Sequence, residues 1–129
     1  MKLVQFPSPQ VGDCFRVLAF DVMIEKTAIS EKNMKVDVVA HLQAKPGCEE
    51  ALRSVLTSFV APTRQEEGCL RYDLHLDLDD PTKFTFIEEW ESREALNKHG
   101  QSQHIAAGRA QFPELLAQPA WVQVLNRIA

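Results

Sequence analysis

Between Phe84 and Trp90 every second residue is Phe84, Phe86, Glu88 or Trp90, while Thr85, Ile87 and Glu89 fill the positions between them. A period of two is that of a β-strand, whose successive side chains point to opposite faces. One face of this strand is therefore three aromatics and a carboxylate. Three large aromatics have to be covered by something, and the cover takes Glu88 with them. A buried charge is costly unless it finds a partner. Just downstream, a short helical stretch leads to His99, and His104 follows it. A helix folding back over the strand brings either histidine toward Glu88.

The other elements follow from pattern and punctuation. Val36, Val38, Ala40 and Leu42 alternate along the strand Val36–Gln43, and Ala44-Lys45-Pro46-Gly47 makes a turn after it. Leu52, Val55, Leu56, Phe59 and Val60 repeat at the spacing of an amphipathic helix. Pro62 is expected to kink that helix without ending it, and Gly68 to stop it. Leu70, Tyr72, Leu74 and Leu76 form the apolar side of a second strand, joined through Asp77–Pro81 to the strand Lys83–Trp90 as a hairpin. Ser92 is placed as a helix N-cap, and that helix runs to His99 and Gly100. Ser102 caps a further helix closed by Pro113, residues 113–119 read as loop, and Ala120–Arg127 is the last strand.

The order β-α-β-β-α-β is that of a split-βαβ, ferredoxin-like α+β sandwich: one antiparallel sheet with helices on one face. Its other face carries Val39, Thr85, Ile87 and either Trp121 or Val122, too apolar for water. We therefore expect a homodimer, with His41 and His75 at the interface or the surface. Residues 1–35 read as an N-terminal extension, with an additional strand expected at Phe15–Glu25, and residues 36–129 as the domain. Met34 stands just before the first strand and is an alternative start.

At 129 residues the chain has room for one core. A net charge of -4 without a basic cluster excludes a nucleic-acid surface. No apolar run approaches a membrane span, and the first residues lack a secretory core, so the expected location is cytoplasmic. Cys14, Cys48 and Cys69 are an odd set without CxxC spacing and read as reduced thiols. The sequence offers neither a GxGxxG loop nor a metal-ligand set that we assign, so no cofactor and no metal are expected.

Taken as an ordered set, AKPG, EEGCLRYDL, FTFIEEWES and the H-x4-H of His99 and His104 resemble the antibiotic biosynthesis monooxygenase family over about Val36 to Asn126. The resemblance implies a dimeric α/β-barrel with a small hydrophobic pocket between sheet and helices in each subunit. It also implies cofactor-free oxidation, by molecular oxygen, of a quinol-like or phenolic substrate. The catalytic candidates are His99 as base, Glu88 to orient it, and His104. The substrate-binding candidates are Tyr72, Trp90 and Phe86. The family has other branches. An isomerase-like branch acts on a phosphorylated signal metabolite, for which Arg71 or Lys83 would supply the basic lining. A ligand-binding dimer without chemistry is a third reading. Haem degradation fits less well, since an asparagine needed on strand one corresponds to Ala40, although His104 would offer an axial ligand.

Overall fold

The computed structural model describes residues 34–129, and within them the two central strands carry the expected alternation of buried and half-buried side chains. Strand β1 (Val36–Gln43) lies between β3 (Lys83–Trp90) and β4 (Trp121–Leu125), and β2 (Cys69–Leu76) completes the sheet beyond β3. The order β2-β3-β1-β4, antiparallel at every pairing, is the ferredoxin-like plan. Register matters here because it fixes who faces whom. Ala40 pairs with Phe86, Val38 with Glu88, and Tyr72 with Glu88 from the other side. Side chains directly opposite in register share a face. Val38, Tyr72, Phe86 and Glu88 thus form one contiguous patch.

Helix α1 (Glu49–Arg64) covers this face with Leu52, Leu56, Phe59 and Thr63, the positions that the helical period selects. Pro62 lies inside α1 without ending it, and the helix runs on to Arg64. Gly68 turns the chain into β2 with φ of +88°, a conformation that costs residues with a Cβ. After β3, three short helices follow: α2 (Arg93–Gly100), α3 (Gln103–Arg109) and α4 (Phe112–Leu115). Gly108 lets α3 approach α1 closely, since a Cβ there would overlap the Phe59 ring.

Three details differ from expectation. Leu70 is half exposed rather than on the apolar side. The pairing shifts between Cys69 and Arg71, and this bulge puts Cys69 in register with Trp90 in its place. Pro113 does not close a helix with loop beyond it. It lies in the first turn of α4, where proline's missing N–H costs nothing, and Leu116 then bridges back to Ala44. Strand β4 is shorter than Ala120–Arg127, because its pairing with β1 covers only Asp37–His41. The strand expected at Phe15–Glu25 and Cys14 lie outside the described residues. Among those described, no helix is long and apolar enough to cross a membrane.

Candidate functional site

Between the inner face of the sheet and helices α2 to α4 lies a cavity of about 490 Å3, walled by Val38, Ala40, Phe86, Tyr72, Glu88 and His99. Val122 and Arg109 are at its rim. Strands and helices share the wall: Leu96, His99, Ile105 and Phe112 from the helices face the inward residues of the strands.

Glu88 is 5% exposed. Trp90, two residues on and so on the same face, donates its indole N–H to Glu88 Oε1 at 2.8 Å. Burial pushes the Glu88 carboxyl above its ordinary value; the Trp90 hydrogen bond pulls it down, and the charge of Glu66 pushes it up further. Tyr72 is buried, and its phenol is raised far above the ordinary range by burial first and by the charge of Glu88 second. It is a hydroxyl donor, never a phenolate, under ordinary conditions.

His99 occupies the last turn of α2, a helix set by the Ser92 hydroxyl accepting from Ala95 N. Its ring packs on Trp90 at 4.8 Å between centroids and meets Tyr72 edge-on at 5.3 Å. The carboxylate that it pairs with is not Glu88. His99 Nδ1 is 3.0 Å from Glu66 Oε2, and His104 Nε2 is 3.1 Å from the same oxygen. His104 Nε2 is also 2.9 Å from the Thr63 hydroxyl. A carboxylate only accepts, so Nδ1 of His99 carries a proton, and in the neutral ring Nε2 keeps its lone pair.

Of the six candidates read from the sequence, four stand at the cavity wall: His99, Glu88, Tyr72 and Phe86. Trp90 and His104 are not part of the wall. Trp90 is fully buried behind it, where its size fills the core and its N–H reaches Glu88. His104 is turned away by its hydrogen bond to Thr63, which leaves Nε2 beside the Glu66 carboxylate. Sequence reasoning missed Glu66. It follows α1 just before the turn at Gly68, and no periodicity marks it. The only trace was an acidic residue two positions before a helix-stopping glycine. Arg71 and Lys83, the basic candidates for a phosphorylated substrate, pair with Asp73 and Asp80 away from the cavity.

Comparison with known proteins gives one answer. A family profile described as "Antibiotic biosynthesis monooxygenase" matches residues 36–111. The Mycobacterium tuberculosis protein named "Putative monooxygenase Rv0793" is 40% identical over 90 residues, which cover 70% of this chain and 88% of that protein. The solved structure of Rv0793 from Mycobacterium tuberculosis, at 38% identity, superposes with a TM-score of 0.70 over 74% of this chain and 96% of that one. The structure of PA3566 from Pseudomonas aeruginosa is 37% identical, with a TM-score of 0.71 over 76% of this chain and 98% of its own.

Proposed function

This chain belongs to the antibiotic biosynthesis monooxygenase family, and on that premise we propose that it oxidises a flat quinol-like or phenolic small molecule with molecular oxygen, without a bound cofactor. The observation that carries the reading is the Glu66–His99 pair beside an apolar cavity. With Nδ1 held by Glu66, His99 Nε2 is the free base. Proton transfer to it from a phenol or an activated ring methylene makes an imidazolium that Glu66 stabilises. The resulting carbanion or phenolate is electron-rich enough to give an electron to dioxygen itself. For an anthrone-type substrate the balance is simple: the methylene loses two hydrogens and gains one oxygen atom, and the second oxygen atom leaves as water.

The remaining wall residues favour the anion. Tyr72 donates a hydrogen bond toward developing negative charge. Glu88, with its raised pKa, adds less repulsion than an ordinary carboxylate would. A flat substrate seated against the aromatic and aliphatic wall displaces water, which strengthens each of these interactions.

We also infer a homodimer through the outer sheet face. In register there, Val39 faces Ile87 on one side and Gln123 on the other, while His41 stacks on Trp121 at 5.3 Å. Trp121 remains 58% exposed and Leu125 41%, an apolar surface that a second copy would cover. Val122 points the other way, into the cavity rim.

The test is oxygen uptake by metal-stripped protein against a panel of quinols and anthrones, with labelled dioxygen to follow the inserted atom. Uptake that puts one labelled atom into product and falls about 100-fold or more in His99→Ala supports the reading, in line with what a general base contributes. Uptake that is unchanged in that variant removes His99 from the mechanism.

A further inference from the structure

Glu66 reaches a second histidine besides His99, His104, for which the proposed oxidation has no use. Glu66 Oε2, His99 Nδ1 and His104 Nε2 come from three separate segments: the turn after α1, the end of α2 and the start of α3. All three lie within 4.8 Å of one another. The two contacts to the carboxylate oxygen are 3.0 and 3.1 Å. Ligand atoms around a tetrahedral ion with bonds of about 2.0 Å are separated by roughly 3.3 Å, so two of the three spacings already approach what such an ion needs. His99 is buried and the other two are partly so, which means that the ligands are held by the fold and not gathered from a mobile surface.

We propose that Glu66, His99 and His104 form a binding site for a divalent ion of the zinc class, next to the cavity. Two imidazole nitrogens and one carboxylate oxygen are a donor set that zinc takes, and three protein ligands leave a coordination position open. Without the ion, His99 gives an N–H to Glu66, while His104 Nε2 bonds the Thr63 hydroxyl and lies 3.1 Å from the carboxylate. Binding releases these contacts: His99 and His104 coordinate as neutral rings, with the proton on the nitrogen remote from the ion and any excess proton lost to solvent. A consequence rests on the function proposed above. With the ion on Nδ1, the proton of His99 lies on Nε2, and the base facing substrate is lost. The ion would then be an inhibitor of substrate deprotonation.

The experiment is calorimetric titration of zinc into the full chain, tag-free, reduced and metal-stripped, beside Glu66→Gln, His104→Ala and the exposed-strand control His75→Ala. We expect one ion bound through these residues. Each ligand variant should weaken binding by more than the roughly 10–100-fold that loss of an outer partner costs, with His75→Ala unchanged. Cobalt titrated in place of zinc should give the intense visible bands of a four-coordinate ion. Folded variants that bind like wild type, or no saturable binding, overturn the proposal. Should a variant fail to fold, histidine ring NMR of the wild type decides. Zinc must move the signals of His99 and His104 and leave those of His41 and His75, and the opposite pattern overturns the site. None of these readouts needs turnover, so the metal site stands or falls on them even if the oxygenase reading fails. Oxidation that runs equally fast with zinc bound would refute the inhibitory consequence alone.

Discussion

Replacing Glu88 with glutamine should change how stability depends on pH, in a direction that the burial of this residue dictates. The folded chain raises the Glu88 carboxyl above its ordinary 4.5, chiefly by desolvation. The folded state therefore holds that proton more tightly than the unfolded state. Stability from this residue is fullest below pH 4.5, falls as pH rises from there to the raised folded value, and is level beyond it. Within that window one proton separates the two states, so the steepest slope is about 1.4 kcal/mol per pH unit. Glutamine has no proton to lose and still presents an oxygen to the Trp90 indole N–H, now 2.8 Å from Glu88. Its amide nitrogen faces the cavity side, where water can serve it. Urea unfolding of both proteins at half-unit steps from pH 4 to 8 reads the effect as a difference, in which whatever the two proteins share cancels. We expect Glu88→Gln to gain on the wild type as pH rises through the window. A difference that stays constant, or that favours the wild type as pH rises, would refute the desolvation argument.

Trp90→Phe removes the donor that holds Glu88, and at neutral pH should cost about 1–3 kcal/mol for the orphaned buried group, on top of the packing loss; the deficit should shrink in acid, where Glu88 is protonated. Gly68→Ala combines a φ of +88° with a Cβ only 2.6 Å from the Ala95 Cβ, so we expect a loss of about 2–4 kcal/mol in chemical denaturation; a loss under 1 kcal/mol would contradict the turn geometry. Trp121→Arg places a charge on the outer apolar face at its β4 edge, and sedimentation should show a dimeric wild type and a monomeric variant at micromolar concentration. A wild type that is itself monomeric there would remove the dimer.

The strands were legible because their burial alternates with period two, and the aromatic patch around Glu88 is a direct product of that alternation. Helix α1 was legible for the same reason at a different period. Where the chain departs from simple repetition, the sequence says less. The bulge that exposes Leu70 inserts one residue into an otherwise regular strand, and alternation alone cannot locate the shift. Pro113 has two helical meanings, stop or first turn, and only the packing of Phe112 near Phe59 selects the second. The site shows the same division. Glu88, His99, Tyr72 and Phe86 come to the cavity wall because strand faces and helix ends place side chains predictably. The position of Glu66 beside His99 was not legible, since it lies in a turn after α1 that no periodicity marks. The carboxylate nearest in the pattern, Glu88, has a nearer partner of its own in Trp90.

The central claim is that His99 takes a proton from a substrate held in this cavity, with Glu66 fixing the ring. The measurement that reaches it most directly is anaerobic mixing of metal-stripped protein with an anthrone, following the absorbance of the substrate anion before any oxygen chemistry begins. The account predicts that bound anion accumulates near neutral pH with wild type, far less with Glu66→Gln, and not at all with His99→Ala. Equal anion formation by all three proteins, or none with wild type on a substrate that it goes on to oxidise, would contradict it.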